Sequence, residues 1–241
     1  MNFDLTEEQQ LVSDSIERFV QDSYNLESRM ALVGKGAGFS KAHWKSMSEL
    51  GWFGLPFSED DGGFGGNQLD TMILMEHFGK GLVLEPFLAS IVLGGGVLKR
   101  AGNETQRKQW LETVIDGSKQ LALAYSEAES GYEPHNVAVA GTKTADGFTI
   151  TGTKCMVQHG GTADALVVSF RTSGGTTDKS GISLALIPAD REGVTVQGFL
   201  TVDGLQSAEI AFDKVAVGAD DLLGEVGNGF TVLNATINDG I

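Results

Sequence analysis

The sequence LALAYSEAESGYEP, residues 121–134, marks the point at which the pattern of the chain changes, and GTKCMVQHGG follows at residues 152–161. Before these segments apolar residues recur at the spacing of helices, and after the first of them they alternate as in strands. The two segments also mix polar groups with apolar ones, as at Ser126, Met156 and Gln158. Such a mixture suits a flat, amphipathic cofactor better than a plain core.

The residues before this point predict an all-α domain over residues 1–120. Thr6 with Gln9 has the pattern of a capping box, and an apolar stripe follows it. Five helices are predicted, each starting at a capping residue or beside a proline. They begin near Glu7, Ser40, Asn67, Glu85 and Asn103.

Glycine-rich segments separate these helices. Residues 32–38 are predicted to be a loop, and residues 50–66 contain a proline and many glycines that exclude a regular helix. The glycines at 62–66 indicate a tight turn rather than a phosphate loop, because no Gly-Lys-Ser/Thr follows them. The triplet Gly94–Gly96 weakens its own helix. We therefore expect close approach of a neighbouring helix, or of a ligand chain, at that face.

The second half predicts a β domain over residues 121–225. Short strand-like runs follow one another, and Asp146-Gly147 is a strong hairpin signal. Since no helix separates the strands, we expect an antiparallel sheet that is closed or sandwiched, and a Rossmann unit is excluded. Residues 226–241 predict the start of a further helical domain. Their apolar stripe indicates either a fragment or a surface covered by another polypeptide.

Composition narrows the function classes. The chain has 241 residues and a formal net charge of −15, so we expect no binding to nucleic acid. A single cysteine, a polar N-terminus and the absence of a long apolar run predict a cytoplasmic protein with no membrane segment.

The residues alone reveal no catalytic group. The four histidines lack metal-ligand spacing, so no metal site is predicted. Cys155 is interpreted as a buried apolar filler rather than a nucleophile. Glu127 and Glu129 are interpreted as loop carboxylates rather than an acid/base pair.

The order of these features resembles the acyl-CoA dehydrogenase superfamily. The resemblance rests on the helical domain, on ELGWFGLPFSEDDGGFGG at residues 49–66, and on a β domain opened by a Ser-Glu pair. It covers the whole chain and implies an α+β fold: an N-terminal all-α helical domain followed by an antiparallel β-barrel or sandwich domain, without the family's C-terminal helical bundle. Within the family, residues 3–10, 71–96 and 215–225 are most similar to the small subunit of pimeloyl-CoA dehydrogenase and its relatives.

The resemblance implies FAD as the cofactor, with its isoalloxazine ring against the β domain. Ser126 stands at the family's Thr position, Met156 replaces the usual Trp that packs on the ring, and Gln158 replaces a Thr near flavin N5. The full set of positions that match the family's flavin contacts is Leu123, Ala124, Tyr125, Ser126, Met156, Val157 and Gln158.

The same resemblance suggests substrate contacts. Tyr132 stands where a Ser normally meets the acyl-CoA thioester arm. Gly94 and Gly95 lie on a helix face that is a candidate floor for the acyl chain, because they carry no side chains.

The implied reaction is α,β-dehydrogenation of an acyl-CoA thioester, with electrons passing to an electron-transfer flavoprotein and with a homo- or hetero-oligomeric assembly. The family's catalytic Glu lies in the C-terminal bundle, so no catalytic residue is assigned in this chain. Two alternatives remain open. One is a non-catalytic structural subunit of a heteromeric acyl-CoA dehydrogenase, which Tyr132, Met156 and Gln158 favour; the other is a flavin-dependent oxygenase relative.

Overall fold

A computed structural model of the chain describes residues 4–34, 36 and 38–241, and these residues form two compact units. The first unit contains the residues up to Glu85 together with Ile115–Gly117, and the second contains Pro86–Val114 and Ser118–Ile241. The helices are α1 (Glu7–Ser23), α2 (Leu26–Gly34), α3 (Lys41–Glu49), α4 (Gln68–Gly81), a π-helix (Phe87–Gly94) that continues as α5 (Gly95–Ala101), α6 (Glu104–Ile115) and α7 (Gly229–Asp239). None of the helices in the described ranges is both long enough and apolar enough to cross a bilayer.

Capping residues fix the starts of most helices, as predicted. The Thr6 side chain accepts a hydrogen bond from Gln9 N at 3.2 Å, and the Gln9 side chain accepts one in return from Thr6 N at 3.1 Å. Ser40 and Asn67 cap α3 and α4 through side-chain oxygens that accept from backbone N–H groups of the first turn. These bonds satisfy donors that a helix start leaves without partners.

The predicted loop at residues 32–38 is partly wrong, because residues 32–34 belong to α2. Asn25 precedes this helix, and its side-chain oxygen accepts from Ser28 N at 2.8 Å. Residues 35 and 37 of the predicted loop lie outside the described residues.

The glycines between α3 and α4 form a tight turn that folds back on its own backbone, which confirms the prediction. Gly63 N donates to Ser58 O at 2.8 Å, and Gly65 N donates to Phe57 O at 2.7 Å. A Cβ on Gly63 would stand 2.4 Å from Phe57 O, so only glycine fits there.

The predicted helix from Glu85 to Arg100 is a π-helix over its first half, which corrects the expectation of a regular α-helix. Its glycines are explained by packing inside the second unit. A Cβ on Gly94 would stand 2.5 Å from Leu121 Cβ, and one on Gly96 would stand 3.0 Å from Thr236 Cγ2. The approaching groups are therefore the chain's own first strand and last helix.

An eight-stranded sheet occupies the second unit, in the order β6-β7-β3-β2-β4-β5-β8 with β1 beside β4. Most neighbours are antiparallel, as predicted, but β1 runs parallel to β4, with Leu121 opposite Ala165. The β2–β3 hairpin lies between β1 and β4 in sequence and gives the chain room to return in the same direction. The strands are β1 (Leu121–Ala124), β2 (Ala140–Lys143), β3 (Gly147–Gln158), β4 (Ala165–Arg171), β5 (Ile182–Pro188), β6 (Val194–Leu200), β7 (Gln206–Gly218) and β8 (Leu222–Leu223).

The sheet is folded into a sandwich. Its two parts, β6-β7-β3-β2 and β4-β5-β8 with β1, meet at the bridge between Ala140 and Arg171. Both parts contribute to one core, in which Ile150, Phe170 and Ile210 are fully buried. This arrangement confirms the predicted α+β class with a largely antiparallel β domain.

Helix α7 packs within the second unit, so the chain itself covers part of the predicted apolar stripe, while Phe230 and Ile237 of that stripe are only partly buried. Leu233 and Thr236 are fully buried. The ring of Phe230 lies edge-on to His135, with the ring centroids 5.7 Å apart. The assignment of residues 226–241 to a further domain stays a prediction.

Candidate functional site

A cavity of about 180 Å³ lies in the second unit, between the sheet, the π-helix and α7. Its apolar lining comes mainly from helical residues, and its polar lining comes from the segments at residues 121–134 and 152–161. The lining residues are Leu88, Ala89, Leu93, Leu123, Tyr125, Ser126, Met156, Gln158, Ile237, Gly240 and Ile241. One apolar wall and one polar edge are thus presented to the same space.

A β-bulge in β3 changes which side chains of this strand face the cavity. Lys154 pairs with Ile210 and Val157 pairs with Ala208, so three steps along β3 match two steps along β7. Met156 lies in the bulge with φ +51°, and it is 54% exposed. The extra residue turns Met156 away from the core, and Met156 lines the cavity.

The bulge also holds the segment that carries Ser126. Cys155 N points out of the β3–β7 ladder and donates to Ser126 O at 2.9 Å. Lys154 Nζ donates to Tyr125 O at 3.1 Å. Two consecutive residues of β3 therefore fix two consecutive carbonyl groups beside the cavity.

A buried ion pair supports this contact, and the interpretation of Glu127 as a loop carboxylate misses it. Lys154 Nζ lies 2.7 Å from Glu127 Oε1 and 3.0 Å from Ser169 Oγ. The Glu127 carboxylate also accepts from Ala138 N at 2.8 Å and from Val139 N at 3.2 Å. Burial lowers the pKa of Lys154 to about 8, while the negative charge of Glu127 acts in the opposite direction.

Five of the seven predicted flavin positions line the cavity: Leu123, Tyr125, Ser126, Met156 and Gln158. The other two, Ala124 and Val157, belong to the hydrophobic core of the sandwich. Successive side chains of a strand point to opposite faces, so a residue next to one that lines the cavity is expected to point into the core.

The predicted substrate positions lie elsewhere. Gly94 and Gly95 are buried, and Gly94 faces Leu121. Tyr132 is fully exposed in the loop after β1. The structure therefore does not bring these three residues to the cavity lining, and their roles stay predictions.

Cys155 differs from its interpretation as a buried filler. It is only partly buried, and its Sγ lies 4.0 Å from Ser126 Oγ. This distance is at the limit of a sulfur hydrogen bond, so the Ser126 hydroxyl keeps its capacity to bond a ligand.

The cavity lining contains no charged side chain among the residues that the structure describes. Within residues 4–34, 36 and 38–241, no group of three or more His, Cys, Asp and Glu side chains could hold a metal ion. The lining combines apolar surface with three polar side-chain groups, which are one hydroxyl, one phenol and one amide. This combination fits part of a flat ring with polar edges.

Sequence reasoning missed Leu88, Leu93 and Ile237 of the lining. Their apolar character made them indistinguishable from core residues, and only the packing of the π-helix against β1 and of α7 against the π-helix brings them to the cavity. Lys154 was missed as well, although a charged residue at an inward position of strand β3 indicates a buried ion pair.

Comparison with known proteins places both halves of the chain in one family. Residues 6–118 match the profile described as "Acyl-CoA dehydrogenase, N-terminal domain", and residues 122–215 match "Acyl-CoA dehydrogenase, middle domain". The chain is 29% identical over 245 residues to probable acyl-CoA dehydrogenase YngJ of Bacillus subtilis, covering all of this chain and 64% of the relative. It is also 29% identical over 215 residues to caffeyl-CoA reductase-Etf complex subunit CarC of Acetobacterium woodii, covering 86% of this chain and 56% of that subunit.

Solved structures show the same fold. Butyryl-CoA dehydrogenase from Megasphaera elsdenii matches with a TM-score of 0.89 and 26% identity, over all of this chain and 64% of that one. PigA with FAD and proline matches with a TM-score of 0.89 and 22% identity, over 99% of this chain and 63% of that one. The chain thus spans less than two thirds of the length of the relatives that it matches.

Proposed function

The chain belongs to the acyl-CoA dehydrogenase family, and from that premise we propose that its cavity receives the isoalloxazine ring of FAD in an acyl-CoA dehydrogenase subunit. The observation that carries the proposal is the convergence of Tyr125, Ser126, Met156 and Gln158 on one cavity with an apolar opposite wall. When bound, FAD supplies the hydride acceptor for α,β-dehydrogenation of an acyl-CoA thioester.

The residues of this chain have separate roles in that proposal. The Ser126 hydroxyl and the Gln158 amide offer hydrogen bonds to the polar edge of the ring. Met156 would meet the ring with a polarisable thioether in place of the family's aromatic ring. Leu88, Leu93 and Ile237 would exclude water from the ring and its neighbourhood.

The size of the cavity limits what this chain can hold alone. About 180 Å³ is below the volume of about 300–1,000 Å³ that is typical of complete ligand pockets. We propose that the ring edge binds here and that the rest of the dinucleotide extends beyond the lining residues. Weak FAD binding by the isolated chain follows from this partial enclosure.

A titration of the purified chain with FAD tests the proposal. Flavin fluorescence anisotropy is the readout, and gel filtration followed by an absorption spectrum shows whether flavin is retained. Ser126→Ala should weaken binding by about tenfold, as expected for one ligand hydrogen bond. Ser180→Ala is the matched control, because Ser180 is exposed in the β4–β5 hairpin, away from the cavity lining. An absence of saturable binding by the wild-type chain would refute the flavin proposal.

No residue of this chain is proposed as the catalytic base, because the cavity lining that the structure describes carries no charged side chain. This observation favours a second proposal, a non-catalytic structural subunit of a heteromeric acyl-CoA dehydrogenase. We include in it the similarity to the pimeloyl-CoA dehydrogenase small subunit. Turnover of acyl-CoA by the chain with an artificial electron acceptor, and with no partner subunit present, would contradict the non-catalytic assignment.

The partners proposed are an acyl-CoA substrate, an electron-transfer flavoprotein and further subunits of a homo- or hetero-oligomer. The name of CarC as a subunit of a reductase-Etf complex supports the second of these. Co-purification from the native organism, followed by mass spectrometry of the complex, tests this assembly. A chain that elutes alone at the mass of one copy, with no flavoprotein attached, would contradict it.

A further inference from the structure

We propose that Lys154 is a positioning residue for the flavin site. In this proposal Lys154 holds the Tyr125–Glu127 segment against β3, so that Ser126 faces the cavity. This inference rests on the proposed flavin function. Lys154 does not line the cavity, and its side chain is fully buried beneath the segment. Its effect on a flavin would therefore pass through the backbone that it binds.

The ammonium group uses every donor that it has. Its three N–H groups reach Tyr125 O at 3.1 Å, Glu127 Oε1 at 2.7 Å and Ser169 Oγ at 3.0 Å. These acceptors belong to the segment after β1 and to β4, so one side chain of β3 joins both. The neighbouring bond from Cys155 N to Ser126 O completes the attachment of the segment.

Glu127 extends the attachment to a further piece of backbone. Its carboxylate accepts from Ala138 N and Val139 N as well as from Lys154. The ion pair thus connects the segment before the 3₁₀ turn at Ala128–Ser130 with the chain that enters β2. A displacement of Lys154 would therefore weaken the contacts at both ends of the loop that leads from the cavity to β2.

Packing alone does not explain a charged pair at this place. Apolar residues of similar volume usually fill a core as well as a buried ion pair does, and they avoid its desolvation cost. An apolar side chain cannot fix the direction of the Tyr125 carbonyl, which a donor on β3 does. Burial disfavours the charged ammonium and lowers the pKa of Lys154 to about 8, and the contact with Glu127 offsets part of this desolvation cost.

The decisive variant is Lys154→Met combined with Glu127→Gln. Lys154→Met alone leaves a buried carboxylate without its cation and can fail to fold. In the double variant neither charge remains, and the amide oxygen introduced at position 127 can still accept from Ala138 N and Val139 N. Lys143→Met is the matched control, because Lys143 is an exposed lysine at the end of β2 in the same sheet.

Two readouts are compared in the purified full chain. The first is hydrogen exchange of the Cys155 amide, which bonds to Ser126 O and reports detachment of the segment; the amides of the β4–β5 ladder are the internal reference. The second is FAD affinity, with the visible circular dichroism of the bound flavin as its spectroscopic signature. We expect the double variant to exchange the Cys155 amide about tenfold faster and to bind FAD about tenfold more weakly, with the reference amides and Lys143→Met unchanged.

Unchanged Cys155 exchange in the double variant would overturn the proposal, and so would unchanged FAD affinity when exchange is faster. If the wild-type chain binds no FAD, the proposed function fails with the flavin role of Lys154. The exchange result then decides separately whether Lys154 holds the segment.

Discussion

A buried carboxylate in the helical unit gives the sharpest pH-dependent prediction. The side chain of Glu85 is fully buried; its Oε1 accepts from Ser40 N at 3.0 Å, and its Oε2 has no hydrogen-bond partner among the described residues. His43 Nδ1 lies 3.5 Å from Oε1, but burial lowers the pKa of His43 and so disfavours a positive charge on this ring. Burial raises the pKa of Glu85 from 4.5 to about 7, and the bond from Ser40 N offsets only part of this effect.

The sign of the stability change follows from proton binding. Between pH 4.5 and pH 7 the folded chain holds a proton on Glu85 that the unfolded chain has lost, so the free energy of unfolding falls as pH rises. The difference between 4.5 and about 7, at about 1.4 kcal/mol per pH unit, gives a loss of about 3 kcal/mol across this window. Glu85→Gln keeps an acceptor for Ser40 N and removes this dependence. Relative to wild type, the variant should therefore be more stable by about 3 kcal/mol at about pH 8 than at about pH 4.

Urea unfolding at a series of pH values measures this difference. Trp44 and Trp52 lie in the same unit as Glu85, so tryptophan fluorescence reports its unfolding. Glu49→Gln is the control, since Glu49 is exposed and its ion pair with Lys45 at 3.6 Å contributes little. Carboxyl ¹³C resonances give the pKa of Glu85 directly. A wild-type-minus-variant difference that stays constant from about pH 4 to about pH 8 would refute the assignment of a buried, destabilising charge.

Three further outcomes are expected. Gly94→Ala should destabilise the second unit by about 1–3 kcal/mol in urea unfolding, because its Cβ would stand 2.5 Å from a side chain of β1; Gly34→Ala, with nothing within 4 Å, should not destabilise the chain. Burial lowers the pKa of His159 to about 4, so the folded state loses stability as pH falls below 6.5. At about pH 5 this loss is about 2 kcal/mol, and His159→Asn should remove it in urea unfolding. Asparagine is chosen because it tolerates the backbone φ of +53° at this position. Arg171→Lys should make the β4–β5 hairpin more sensitive to trypsin in timed digests, because one ammonium cannot reach the five carbonyl oxygens that the guanidinium binds, and an unchanged cleavage rate would contradict this.

The parts of the fold that the sequence predicts well are the local ones. A capping bond joins residues two or three positions apart, so Thr6, Ser40 and Asn67 indicate their helices without any knowledge of the rest of the chain. The cap at Asn25, before α2, is an equally local feature. However, α2 lacks a clear apolar stripe, and none of its residues is buried. A cap without a periodic run behind it was too weak a signal to predict a helix.

Pairings between distant segments could not be predicted in the same way. Strand β1 is buried on both faces, and its sequence does not alternate, so nothing in it indicates a partner or a direction. Its parallel pairing with β4 depends on where the intervening hairpin returns the chain. The cavity shares this limit, because its apolar wall comes from helices that are far from β3 in sequence and have the composition of ordinary core.

The buried lysine could have been found from the parity of strand β3. Phe148 and Ile150 are inward residues, and the same period of two places Lys154 on the inward side, where a charge requires a partner. Val157 is inward as well, although it has the opposite parity, so an extra residue must lie between positions 154 and 157. A charged residue on the inward face, followed at once by a change of parity, therefore predicts a bulge and a buried ion pair together. Glu127 supplies the partner, and the bulge releases the backbone donor that binds the segment beside the cavity.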